Sequence, residues 1–136
     1  MSGAALYHDA LKALAETSRA HGRLDHPDAT ATVDNPLCGD RVTVDVALDG
    51  DRVTAVGHAV KGCLLCEAAA ALVAEFAPGQ AKRELADLPR QVKAYLKTKD
   101  DDVPFPGLEP FAPVRAFRSR HRCVALPFEA LVKALG

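Results

Sequence analysis

The chain has 136 residues, 49% of them apolar, and a formal net charge of −1. That length suits one domain with its own core. The charge balance excludes a nucleic-acid binder that works by bulk cationic attraction. No apolar run is long enough to span a bilayer, and the N-terminus lacks the zones of a secretory signal. A soluble, cytoplasmic protein is expected, and in a reducing compartment its four cysteines read as metal ligands or reactive thiols rather than disulfides.

Residues 3–20 predict a helix. Leu6, Tyr7, Ala10, Leu11 and Leu14 recur at helical spacing, and Gly22 stops the run. Residues 23–37 are polar and irregular, with a short strand expected over Ala29 to Val33. Val42, Val44, Val46 and Leu48 then alternate with Thr43, Asp45, Ala47 and Asp49, the period of a half-buried strand. Asp49-Gly50 marks a two-residue hairpin turn, with a return strand from Asp51 to about Val60. That register sets Leu48 against Asp51, Val46 against Val53 and Cys38 against Lys61. Cys38 and Cys63 then lie at the same end of one hairpin.

Residues 64–76 are rich in alanine and predict a helix opening directly after Cys63. Pro78-Gly79 ends it. Two short helices follow, Ala81 to Leu88 and Arg90 to Lys97, divided by Pro89. Residues 98–113 read as a loop with an acidic run, Asp100 to Asp102, and four prolines. A last helix is expected over 124–135, with Pro127 in its first turn. The whole is an α+β domain spanning 1–136: a small three-stranded antiparallel sheet with helices on one face and ligand-bearing loops at one end.

Chemistry concentrates in the cysteines. Cys38 stands in Asn35-Pro36-Leu37-Cys38-Gly39-Asp40, where Pro and Gly let the backbone aim the thiol and Asp40 adds a harder oxygen ligand. Cys63 and Cys123 each read as the end of an extended stretch just before a helix, where free N–H groups and the helix dipole favour thiolate. Three thiolates and a carboxylate make a workable tetrahedral set for zinc, and equally a site for iron or an iron–sulfur cluster. The bland alternative is that these cysteines are small buried apolar residues and Asp40 a turn residue.

Cys63-Leu64-Leu65-Cys66 is a C-x-x-C motif. It follows a hairpin rather than a βαβ unit, so packing or an auxiliary role is favoured for Cys66 over primary ligation. Arg115, Arg118, Arg120, His121 and Arg122 form a basic approach to Cys123 that would lower its pKa or dock an acidic partner, unless it is an ordinary solvated strand. If the segment is extended, His121 points to the same side as Cys123 and is an alternative ligand or proton carrier. His8, His21, His26 and His58 read as surface or packing residues.

Taken together, the Asn-Pro-x-Cys-Gly-Asp motif, Gly62-Cys63 opening a small-residue helix, and Arg120-His121-Arg122-Cys123 before a terminal helix resemble the U-type iron–sulfur cluster assembly proteins. Gly22-Arg23-Leu24 and the Val42–Val60 hairpin fit the same layout, so the resemblance covers nearly the whole chain. The family has a scaffold branch, which builds a [2Fe–2S] cluster and carries histidine immediately before its last cysteine. It also has a SufU-like branch, which holds zinc and takes persulfide sulfur from a cysteine desulfurase. Arg122 in place of that histidine, and the long stretch between Cys63 and Cys123, lean toward the zinc branch.

By resemblance the zinc ligands are Cys38, Asp40, Cys63 and Cys123. Cys38 is the sulfur acceptor, freed when a histidine of the desulfurase takes its place. The implied activity is sulfurtransferase at most, and the implied partners are the desulfurase and downstream iron–sulfur assembly or acceptor proteins. Cys66 departs from the family, which has serine there. A cluster scaffold ranks second, a thiol–disulfide enzyme using Cys63 and Cys66 third, and a purely structural zinc domain fourth.

Overall fold

A computed structural model describes residues 3–37, 39–98 and 102–136, and the side chains from residue 8 onward. Cys38, Asp100 and Asp101 lie outside the described residues, as do the side chains of Leu6 and Tyr7.

The elements run α1 (Gly3–His21), β1 (Ala29–Asn35), β2 (Asp40–Asp49), β3 (Arg52–Lys61), α2 (Leu64–Phe76), α3 (Lys82–Leu85), α4 (Leu88–Lys97) and α5 (His121–Leu135). Two 3₁₀ segments, Glu109–Ala116 and Arg118–Arg120, precede α5. The three strands form one antiparallel sheet in the order β1-β2-β3. Among the described residues, no helix is long and apolar enough to cross a membrane.

The alternation in β2 does what period two requires. Val42, Val44 and Val46 are fully buried and face the helices. Val53 and Val56 of β3 join them. Ala68, Ala69, Ala70 and Ala71 of α2 are buried, because a methyl group lets the helix approach the sheet and α1 closely. α5 packs on β1 and β2 through a core that includes Leu126, Phe128 and Leu131. Phe105 rises from the loop after α4 and packs, with tilted rings, between Phe76 and Phe128.

The other face of the sheet holds an ion pair. Asp45 is fully buried and receives Arg23 in bidentate fashion at 2.6 and 2.9 Å, the Thr30 hydroxyl at 2.6 Å and the Leu24 N–H at 3.1 Å. Every acceptor position of the carboxylate is thus used, which holds its pKa below the usual carboxylate value. The strap carrying Arg23 and Leu24 crosses directly over Gly57, where an added Cβ would stand 2.5 Å from the Leu24 nitrogen. The outer edge of β3 is covered by backbone bonds to Gly22, Gly79 and Gln80.

Four local expectations are corrected. The hairpin turn centres on Gly50 and Asp51, so Asp49 pairs with Arg52, and an irregularity at Ala47/Leu48 shifts the register again. Arg41, rather than Cys38, lies opposite Lys61. The physical reason is that Gly50 takes the left-handed conformation, φ +62°, at the first central position of the turn.

Pro89 lies in the first turn of α4 instead of dividing two helices, as its missing N–H permits. The end of the predicted loop is ordered as 3₁₀ helix from Glu109, whose Phe111 and Val114 are buried. Finally, α5 begins at His121, so Pro127 is inside the helix rather than in its first turn. Lacking an N–H, Pro127 leaves the Cys123 carbonyl without its helical donor.

Candidate metal centre

Three segments distant in sequence meet at one end of the sheet. Asp40 is the first residue of β2. Cys63 follows β3 and is the N-cap of α2, with extended backbone at φ −77° and ψ 170°. Cys123 is the third residue of α5. One ligand atom from each residue lies within 4.8 Å of those of the other two. Asp40 and Cys123 are buried, and Cys63 is half-buried.

The site is bound by its own protons. The Cys123 thiol donates to Asp40 Oδ2 at 3.2 Å. Burial, the Asp40 carboxylate and the Cys63 thiol all push the Cys123 thiol well above its ordinary pKa. Such crowding of acidic groups in a dry pocket is the condition a divalent cation relieves, by replacing the protons. Soft sulfur with one carboxylate oxygen matches zinc or iron better than magnesium or calcium. The residues therefore fit a thiolate-bound metal.

Gly62 makes room for the carboxylate. A Cβ at that position would stand 2.8 Å from Asp40 Oδ1. Beside Asp40 an open cleft of about 370 Å³ is lined by Asp34, Asn35, Pro36, Gly39, Arg41 and Lys61. Gly39, at φ +72°, donates its N–H to the Asn35 carbonyl at 2.8 Å.

Cys66 is fully buried in the hydrophobic core, and burial with Asp40 nearby raises its pKa strongly. His121 is turned away from the extended-strand expectation. Because the segment is helical, residues two apart point to nearly opposite sides. His121 Nε2–H donates instead to the carbonyls of Val114 at 3.1 Å and Arg115 at 3.3 Å. With Lys93, Lys97, Arg118 and Arg122 it lines a separate basic cleft of about 240 Å³. Arg120 and Arg122 are exposed, on a 3₁₀ turn and the first turn of α5 rather than on a strand.

Two features escaped the sequence reading. One is the Arg23–Asp45 pair, which alternation alone places on a solvent face. The other is a pair of exposed apolar side chains, Leu37 at 93% and Phe117 at 61%. Leu37 adjoins Cys38 in sequence, and Phe117 stands on the segment that leads into Cys123.

Fold and site together define a small α+β domain that gathers thiols and a carboxylate at the end of a three-stranded sheet. The chain belongs to the NifU-like N terminal domain family, which matches residues 6–100. It is 26% identical over 117 residues to an iron–sulfur cluster assembly scaffold protein IscU of Streptococcus pyogenes serotype M1, covering 85% of this chain and 73% of that one. Among solved structures it is similar to the N-terminal part of a nitrogen-fixing NifU-like protein from Brucella abortus, with a TM-score of 0.79, 28% identity and coverage of 93% and 89% of the two chains. It shares the fold of a putative SUF-system scaffold protein from Fervidobacterium islandicum AW-1, with a TM-score of 0.85, 24% identity and coverage of 99% and 100%.

Proposed function

We propose that this chain, as one domain, is a cytoplasmic iron–sulfur cluster biogenesis protein that accepts persulfide sulfur from a cysteine desulfurase. The observation that carries the reading is the convergence of Asp40, Cys63 and Cys123 within 4.8 Å. Family membership and the scaffold relative from Streptococcus support it.

Zinc would be held by Asp40, Cys63, Cys123 and Cys38, and would keep the thiols deprotonated. Cys38 is the acceptor in this reading. Its thiolate attacks the outer sulfur of the desulfurase persulfide, a new S–S bond forms on Cys38, and the desulfurase thiolate leaves with the electrons of the broken bond. Asp40 and Cys123 stay buried through the exchange and preserve the site. Leu37 and Phe117 supply apolar contact for the partner around it.

A second reading is a scaffold for a transient [2Fe–2S] cluster, which the description of the Streptococcus relative favours. The thiol–disulfide enzyme has less support, because Cys66 has no solvent access.

The test is metal and acid-labile sulfide analysis of anaerobically purified protein, followed by incubation with a cysteine desulfurase and cysteine. Zinc without sulfide and a persulfide on the fragment bearing Cys38 are expected. Iron with matching sulfide and no persulfide would move the chain to the scaffold reading.

A further inference from the structure

The C-x-x-C motif is left over from that function, and its geometry is specific. Cys63 is the N-cap of α2 and Cys66 is its third helical residue, so the two share one face of the first turn. Helix geometry puts Cα atoms three residues apart about 5 Å from each other, inside the range of about 4.4–6.8 Å that disulfides span. Cys63 is half-buried and is the one of the three described thiols that solvent reaches. Cys66 is fully buried directly after it.

We propose that Cys63 and Cys66 form a reversible disulfide when the site has lost its metal, so that Cys66 protects a metal ligand from irreversible oxidation. The inference rests on the metal-site reading above. Metal coordination occupies Cys63, and its loss leaves that half-buried sulfur open to an oxidant. With hydrogen peroxide as oxidant, the Cys63 sulfur takes one oxygen, the O–O bond breaks and hydroxide leaves, giving a sulfenic acid. The Cys66 sulfur then displaces that hydroxyl. The S–S bond forms, the S–O bond breaks, and the Cys66 proton leaves with the hydroxyl as water. Two thiols are oxidised and one peroxide is reduced.

Cys123 is the competitor, since its sulfur lies within 4.8 Å of the Cys63 sulfur. The pairing with Cys66 is favoured because it closes within a single helical turn. It does not depend on α5 staying docked once the metal is gone, whereas the Cys123 pairing does. A thiol reductant reopens it by exchange and restores the ligand.

The experiment treats chelator-stripped and metal-loaded protein with peroxide, alkylates remaining thiols after denaturation, and maps tryptic fragments by mass spectrometry. Cys63 and Cys66 fall on one fragment, Gly62–Lys82, Cys123 on another, and Cys38 on a third. In stripped protein the Gly62–Lys82 fragment should become two hydrogens lighter and refuse alkylation, while the loaded protein stays fully alkylated. Reductant should then return most of the zinc binding to wild type, and less than a tenth of it to Cys66→Ala. A fragment cross-linked between Cys63 and Cys123, or Cys66 still alkylated after oxidation, overturns the proposal. The mapping on stripped wild-type protein needs no variant. Zinc content of the untreated protein, measured in parallel, shows separately whether the metal-site reading holds.

Discussion

Cys123 donates its thiol proton to Asp40 across 3.2 Å, although the two residues are 83 positions apart. This contact joins the start of β2 to the first turn of α5 at the point where Cys63 enters α2. A proton shared between a thiol and a carboxylate marks where a cation would sit. Asp40→Asn keeps the size but replaces the charged oxygen with an amide. Zinc affinity should fall roughly tenfold or more, since even partners one shell further out are worth about 10–100-fold. Competition with a chelator of known affinity measures it, and an unchanged affinity removes Asp40 from the ligand set.

Gly62→Ala tests the same carboxylate from outside. The new methyl would overlap Asp40 Oδ1, which lies 2.8 Å from that point. The carboxylate can swing away, so the fold should survive with thermal stability close to wild type. The ligand geometry should not survive, and zinc affinity should fall as it does for Asp40→Asn. Circular dichroism and zinc titration on one sample separate the two effects.

On the far face of the sheet, Arg23→Met removes the partner of a carboxylate that is fully buried. An uncompensated buried charge costs on the order of 3 kcal/mol. Arg23 itself is half-exposed, so the double variant Arg23→Met with Asp45→Asn should recover part of the loss. Denaturant unfolding of the single and double variants measures this, and a single variant within 0.5 kcal/mol of wild type, about the ordinary surface range, would show that the pair contributes little.

Acid should loosen the packing of α1. His58 is buried and stacked on His21, with ring centroids 5.1 Å apart, and its Nε2 has no hydrogen-bond partner. His21 Nε2–H donates to the Val56 carbonyl at 2.5 Å. Burial first, then the His21 ring, lower the His58 pKa to about 4 from its ordinary 6.5, with Asp45 opposing. The unfolded chain therefore binds a proton that the folded one refuses between pH 6.5 and about 4. Stability should be full above 6.5 and decline as pH falls through that window, by on the order of 3 kcal/mol. Asp45, with its lowered pKa, adds a further loss only below the ordinary carboxylate value of 3.8. His58→Phe should flatten the upper step, as followed by unfolding at several pH values.

Legibility followed the range of the interaction. The α2 helix was predicted over 64–76 and observed as Leu64–Phe76, because alanine propensity and Pro78-Gly79 act locally. The valine alternation of β2 was likewise readable. Register was not, since one glycine in the turn moved every pair. The start of α5 was misplaced because Pro127 argues against a long helix, and packing on β1 and β2 overrides that local preference. His121 lost its place beside Cys123 for the same reason: the expected strand is a helix, and the helical period separates them.

By itself the sequence determined the residue types able to hold a metal, the existence of the β2–β3 hairpin before Cys63, and the resemblance that orders the functional readings. Those follow from local spacing and chemistry. Only the tertiary structure decided that Asp40, Cys63 and Cys123 converge, that Cys66 is sealed in the core and that His121 faces other carbonyls. Each of those outcomes depends on how α5 docks against the sheet, and docking is set by side chains far from the cysteines it brings together.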